Sequence, residues 1–283
     1  MPELPEVETV RGQLAPHVEG QRLLRLDVID ALWCSPAAPA ELAAAVDGRR
    51  VEALGRRGKY LLWELEDEVH LIMHLRMTGN LLLVSEADDA ADRKYVRVRA
   101  HLEDGRRVLF ADPRRFGTGV VLLGDQARDD YFARRVGVEP LGPDFTPEAM
   151  RELARGRKAP VKAFLLNQER IAGVGNIYAD EALFRARIHP LRTVDRLRPA
   201  QLAELRDAVV ESLELGIDSR GATIDDFRDI DGARGSFQDR FLVHRREGEP
   251  CPRCGTAIRK MRAAGRGTYV CEKCQPRPRP RRR

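Results

Sequence analysis

Residues 251–274 read "CPRCGTAIRKMRAAGRGTYVCEKC", two C-x-x-C pairs with sixteen residues between Cys254 and Cys271. Each pair closes a tight knuckle on one metal ion, and the glycine-bearing segment between them suits a β-hairpin. The spacing predicts a zinc ribbon in which Cys251, Cys254, Cys271 and Cys274 hold one Zn2+. Four thiolates complete a tetrahedron and leave no position open for water, so the metal is read as structural. The competing reading, two disulfides, calls for an oxidising compartment, whereas the expected compartment is the cytoplasm. The fifth cysteine, Cys34 in "LWCSP", reads as a small, partly buried hydrophobe.

Outward from the ribbon, the chain ends in "RPRPRRR", a run of like charge expected to form a disordered basic tail over 276–283. Before the ribbon the pattern is helical. "TPEAMRELA", "PVKAFLLNQ", "NIYADEALFRARI" and "RPAQLAELRDAVVESLELGI" all repeat apolar residues every three to four positions. Within this region "RIAGVGNIYADEALFRARIHP" joins a helix, a glycine-rich turn and a new helix starting near Asn176. Such a turn fits a helix-turn-helix, whose helix-start amides bind phosphate, and fits equally an ordinary helical hairpin.

The first half has a different texture. From about Gln21 to Gly124 run "RLLRLDVI", "RRVEALGR", "KYLLWEL", "VHLIMHL", "NLLLV", "YVRVRAHL", "RRVLF" and "GVVLL", separated by turn signals such as "DG" and "TGN". Eight such runs predict an antiparallel β-sandwich. Ahead of them "PEVETVRGQLAPHV" places Val7, Val10 and Leu14 on one helical face, with Pro16 expected to end the helix. The fold class is therefore α+β. The expected organisation is an N-terminal helix and β-sandwich over 1–128, a linker over 129–147, a helical domain over 148–244, a zinc finger over 245–275 and the tail.

The 283 residues suffice for two cores, and no run of eighteen apolar residues suggests a membrane span. A net charge of +5 with a pI near 9.1 suits a polyanionic partner.

The opening "MPELPEVETV" crowds three glutamates behind Pro2. Proline and glutamate suit a helix start. If Met1 is removed, however, Pro2 carries a secondary amine, partly neutral at pH 7, that can attack an electrophilic carbon and form an iminium. Two loops raise a second question. "DPRRFG" offers Arg114, Arg115 and Phe116, and "HLRMTG" offers Met77. Exposed, these residues would form a wedge that fills a duplex when a nucleotide is swung out; otherwise the apolar ones are core and the arginines a solvated surface.

The motifs "MPELPEVETV", "RRGKYLLWEL", "HLRMTGNL", "DPRRFG", "IAGVGNIYADEALF", "GEPCPRCG" and "GRGTYVCEKCQ" span nearly the whole chain. In this order the sequence resembles the bacterial formamidopyrimidine-DNA glycosylases, base-excision enzymes that remove oxidised purines such as 8-oxoguanine. The resemblance implies a helix-two-turns-helix domain, a damaged-duplex partner and a monomer. It implies that Pro2 attacks C1′ of the flipped nucleotide and that Glu3 is the neighbouring acid/base, with Glu6 bracing the terminus. Lys59 would bind phosphate and assist β-elimination, and Arg266 would clamp phosphates and assist δ-elimination. Asn176 would hold the same backbone. Met77, Arg114 and Phe116 match the void-filling trio, with Arg114 facing the orphan cytosine, and Arg93, Arg157 and Lys162 match further basic positions.

The chain departs from the family pattern at Arg76, where glycine is usual, and at His244 and Arg245, where a phosphate-binding tyrosine and a glycine are usual. Asp225 stands where lysine or serine is common, and "DRKYV" where histidines are frequent. Other readings are an endonuclease VIII-like enzyme for oxidised pyrimidines, whose opening looks like "PEGPE", a silent damage-binding protein, and an N-terminal-proline tautomerase.

Overall fold

The computed structural model describes residues 2–85, 94–224 and 226–278. Arg93, Asp225 and the end of the basic tail lie outside the described residues. Two compact units emerge, one of residues 1–134 with 216–238, the other of 135–215 with 239–283. This corrects the expected boundaries: residues 216–238 belong with the first unit rather than with the helical one.

The first unit opens with α1 (Leu4–Val18), followed by β1 (Arg22–Val28), a 3-10 turn (Ala31–Cys34) and α2 (Pro39–Val46). Seven more strands follow: β2 (Arg49–Arg57), β3 (Tyr60–Leu65), β4 (Val69–His74), β5 (Asn80–Val84), β6 (Val96–Leu102), β7 (Arg107–Ala111) and β8 (Thr118–Leu123). All eight predicted runs are strands. They pair antiparallel in the order β5-β7-β6-β1-β2-β3-β4-β8. β1 and β2 share only the pairs Arg22↔Arg50 and Leu23↔Arg49, so the sheet turns a corner there and divides into two four-stranded halves.

Apolar residues fill the core. Val7, Val10 and Leu14 of α1 join one buried cluster with Leu61, Trp63, Leu71, Val98 and Phe110. Trp33 on the 3-10 turn lies 5.9 Å from the Phe110 ring of β7 and fills the space over Gly119 of β8, where a Cβ would fall 2.0 Å from its indole. Truncating Trp33 to alanine would cost about 3–5 kcal/mol, since nothing nearby replaces that volume. Every residue of β4 is buried, which explains its uninterrupted apolar texture and the burial of His70 and His74 within it.

Two boundaries differ from expectation. Pro16 lies inside α1, which runs on to Val18; so close to the C-terminus a proline removes one amide bond without stopping the last turn. α3 (Asp125–Ala133) follows β8, runs from the expected N-terminal domain into the expected linker and buries Phe132.

The second unit contains α4 (Pro147–Ala154), α5 (Val161–Leu166), α6 (Asn176–Arg185), most of α7 (Pro199–Asp218) and a hairpin of β9 (Arg259–Ala263) and β10 (Arg266–Val270). Thr146 caps α4, its Oγ accepting from the Ala149 amide at 3.1 Å. α6 is the axis of the unit, buried from Ile177 through Phe184. Its buried Glu181 carboxylate accepts the amides of Leu242, Val243 and His244 at 2.9–3.0 Å, which fixes the chain entering the ribbon. No helix among the described residues is long and apolar enough to cross a membrane.

Candidate active site and nucleic-acid interface

Pro2, Glu3 and Glu6 are buried at the head of α1. Glu6 accepts the Glu3 amide at 2.7 Å through Oε2 and the Ala222 amide at 2.7 Å through Oε1. One carboxylate thus ties the N-terminus to the segment 220–222, an arrangement charge-assisted at both amides. The neighbouring Gly221 has φ +77°, and a Cβ there would lie 2.8 Å from Cγ of Glu6. The approach requires glycine.

Lys59 sits in the β2–β3 turn, largely buried. The turn is fastened to α1 by Arg56, whose Nε donates to Glu8 at 2.9 Å. On β4, His74 faces the ring of Tyr60 edge-on at 4.6 Å, and its Nδ1 accepts the Arg76 amide at 2.9 Å. Burial first, then the charges of Arg76 and Lys59, push the His74 pKa down to about 3, so the ring is neutral. Arg76 itself has φ +53° and Arg245 has φ +58°. Both departures from glycine therefore stand in left-handed backbone.

The residues expected to form a wedge are on the surface: Met77 is 41% and Phe116 49% exposed, which removes the core reading. Arg114 lies over the Phe116 ring at 4.6 Å and reaches the Met77 sulfur at 3.6 Å, so the three form one cluster. Its organiser is Asp112, fully buried, which accepts the amides of Arg114, Phe116 and Gly117 at 3.1, 2.8 and 2.7 Å and the hydroxyl of Thr78. The two loops are thereby held together. Arg115 turns away and pairs with Asp30.

In the second unit Asn176 opens α6 and donates from Nδ2 to the Gly267 carbonyl at 3.0 Å. Arg266 is exposed beside the tight turn of the hairpin, where Ala264 and Gly265 both have positive φ. Arg157 is exposed and lines a basic cavity of about 360 Å³ with Lys158, Asn167 and Arg170. Lys162 requires a correction. It is fully buried, with Nζ 2.6 Å from Asp180 Oδ1 and 2.7 Å from the Thr268 hydroxyl, so it fastens the hairpin and presents no charge to a ligand. Removing either partner of the buried Lys162–Asp180 pair alone would cost about 3–5 kcal/mol. His244 is likewise buried, its Nδ1 2.9 Å from Asp180 Oδ2.

The four ribbon sulfurs lie within 4.8 Å of one another, with Cys251–Cys274 at 3.8 Å and Cys254–Cys271 at 3.5 Å. Disulfides would bring paired sulfurs to about 2.05 Å. Bonds of about 2.3 Å to a central tetrahedral ion instead give sulfur separations near 3.8 Å. The donor set fits Zn2+. Gln275 anchors the second knuckle, accepting the Cys271 amide at 3.1 Å and donating to the Ile188 carbonyl at 2.9 Å.

Asp112, Asp30 and Asp180 carry no assigned role in the sequence analysis. The first had a local signal, an aspartate opening a proline turn; the others act on partners distant in sequence.

Comparison with known proteins adds three matched segments. The formamidopyrimidine-DNA glycosylase N-terminal domain matches residues 1–119, its H2TH domain 136–228, and a zinc finger found in FPG and IleRS 248–277. A formamidopyrimidine-DNA glycosylase of Chloroflexus aurantiacus is 45% identical, covering 97% of this chain and 98% of the relative. Lactococcus lactis Fpg bound to abasic-site DNA superposes with TM-score 0.90 at 34% identity, over 97% of this chain and 100% of that one. The same protein with Fapy-dG-containing DNA gives TM-score 0.89 at 34% identity, with the same coverage.

Proposed function

The chain belongs to the formamidopyrimidine-DNA glycosylase family, and we propose that it excises oxidised purines from damaged duplex DNA with Pro2 as nucleophile, then nicks the strand as a lyase. It is an enzyme with one structural zinc. The observation that carries the assignment of Pro2 is the burial of Pro2, Glu3 and Glu6 together. A helix that merely begins with proline and glutamate leaves its carboxylates in water. Here Glu6 is committed to two amides, that of Glu3 beside Pro2 and that of Ala222.

With Met1 removed, the lone pair of the Pro2 nitrogen attacks C1′ of the flipped nucleotide. The bond from C1′ to the damaged base breaks, and the base leaves with the bonding pair and takes up a proton. Glu3 protonates the ring oxygen as the sugar opens, giving an iminium between Pro2 and C1′. Loss of a C2′ proton then expels the 3′ phosphate, with Lys59 holding phosphate near the lesion. A second elimination, assisted by Arg266, expels the 5′ phosphate. Met77, Arg114 and Phe116 fill the vacated stack, and Asn176 and Arg157 hold backbone. Zinc supplies no step; it fixes the hairpin that presents Arg266.

The test is borohydride treatment of the mature protein with duplex carrying 8-oxoguanine opposite cytosine, followed by intact mass and peptide mapping. An adduct on Pro2 is expected. Binding without a trapped adduct would identify a silent damage-binding protein, and an adduct on Lys59 would move the nucleophile. Preference for an oxidised pyrimidine over 8-oxoguanine would instead favour the endonuclease VIII-like reading.

A further inference from the structure

We propose that His244 is a positioning residue for strand cleavage, acting through Asp180 to hold the hairpin that carries Arg266. The inference rests on the reading of Arg266 as a phosphate contact. It begins from a buried charge that needs donors. Asp180 is fully buried and receives Lys162 Nζ at 2.6 Å on Oδ1. On Oδ2 it meets His244 Nδ1 at 2.9 Å and the Tyr269 amide at 3.4 Å. Lys162 in turn reaches the hydroxyl of Thr268 at 2.7 Å and the carbonyl of Gly267 at 3.5 Å.

Three consecutive residues of β10, Gly267 to Tyr269, are therefore fastened to α5 and α6 by one polar network, immediately beyond Arg266. The zinc knuckles grip the hairpin only at its foot, where Cys271 follows β10. His244 closes the network from a third direction. Its ring stands edge-on to Phe241 at 5.3 Å and to Tyr269 at 5.1 Å, and its amide is fixed by Glu181 at 3.0 Å. A side chain so placed is oriented before any ligand arrives. Its Nδ1–H donates to a carboxylate whose other oxygen already holds Lys162, so losing the donor leaves Oδ2 with a single long amide contact. The hairpin then loses a constraint along its length while its metal stays bound.

The experiment compares His244→Phe, which keeps ring volume and removes the donor, with His244→Asn, which keeps a donor near the Nδ1 position. Each is measured for zinc per chain, borohydride trapping at a preformed abasic site under saturating enzyme, and the ratio of δ- to β-elimination products. His244→Phe should retain one zinc and full trapping while the δ product falls roughly ten- to a hundredfold; His244→Asn should recover most of it. Adding Arg266→Ala to His244→Phe should lower the δ product little further, because both act through one contact. Equal impairment in Phe and Asn variants, or loss of zinc in either, would reduce His244 to a packing element and overturn the proposal. So would a wild-type product ratio in His244→Phe. Fully additive effects of Arg266→Ala would overturn it while leaving the reading of Arg266 intact. An Arg266→Ala variant that alone leaves the products unchanged would sink both.

Discussion

Asp30 grips Arg115 at two points, Oδ2 to Nε at 2.6 Å and Oδ1 to Nη2 at 2.9 Å. That guanidinium, helped by the Leu32 amide against the opposing push of burial, holds the Asp30 carboxyl below the usual carboxylate range. Its neighbour Arg114 lies instead against Phe116 and Met77. The pair of arginines is thus divided by Asp30, and only Arg114 joins the cluster with Met77 and Phe116 that is proposed as the wedge. Arg114→Ala should narrow the preference for cytosine over adenine opposite the lesion, because a guanidinium donates to the acceptors of cytosine and meets a donor on adenine. Arg115→Ala should leave that preference unchanged. Excision rates on the two opposite-base duplexes decide it, and equal narrowing in both variants would mean the wrong arginine has been chosen.

His74 sets an acid limit. Its folded pKa of about 3 lies below the ordinary 6.5, so between these values the unfolded chain binds a proton that the folded chain excludes. Stability from this group is fully present above pH 6.5 and is lost as pH falls toward 3, by on the order of 4 kcal/mol over the whole interval. Arg76→Gly should move the His74 titration upward, since the Arg76 charge is the second cause after burial, and should relieve left-handed backbone worth about 1–2 kcal/mol. Imidazole NMR titration measures the first effect and denaturant unfolding the second. A His74 that titrates near 6.5 in the folded protein would remove the argument.

Gly221→Ala tests the tie between the N-terminus and segment 220–222. The left-handed φ alone should cost about 1–2 kcal/mol. The added Cβ also presses on Glu6, which must then give up the Ala222 amide or shift the Glu3 amide. Slower excision of 8-oxoguanine is expected, with cleavage of a preformed abasic site less affected. Unchanged rates on both substrates would separate Glu6 from the active terminus.

Much of this was legible in the sequence because the signals were local. Alternating and continuous apolar runs mark all eight strands, a glycine turn places the start of α6 at Asn176, and paired cysteines mark the ribbon. What escaped depends on distant partners. "PAELAAAV" becomes α2 between two strands, where no periodic pattern long enough to announce a helix exists. Lys162 reads as a surface cation because Asp180 and Thr268, which bury it, lie 18 and 106 residues away. Segment 216–238 begins in the last turn of α7, so its sequence pattern reads with the helices. Its amides and apolar residues instead join the first unit: Ala222 at Glu6, Arg228 at Asn80, and Phe227 and Ile230 in the core around α1.

Zinc removal should act on the hairpin first. Structural zinc contributes about 10–16 kcal/mol to a small cysteine site, far more than the hairpin's own two strands supply. Chelation, or replacement of any one of the four cysteines by serine, should disorder the hairpin and lose DNA binding before the β-rich unit unfolds. Metal analysis with a DNA-binding titration checks this, and active, reduced protein without zinc would refute it.

Glu3→Gln separates the two halves of the chemistry. Glutamine fills the same space and leaves the backbone amide that Glu6 accepts at 2.7 Å, so the terminus and Pro2 should keep their places. What is lost is an acid able to give a proton to the ring oxygen as C1′ becomes electron-poor. With an intact oxidised purine that step accompanies departure of the base, and a general acid of this kind contributes roughly 100- to 10,000-fold. At a preformed abasic site the base is already gone and the sugar samples its open aldehyde form, to which the proposed nucleophile, the Pro2 amine, would add directly. The variant should therefore lose activity on 8-oxoguanine by at least about a hundredfold while retaining most borohydride trapping at an abasic site. Single-turnover rates on the two substrates, measured with the same protein, give the ratio. Equal losses on both would place Glu3 in the structure of the terminus rather than in proton transfer.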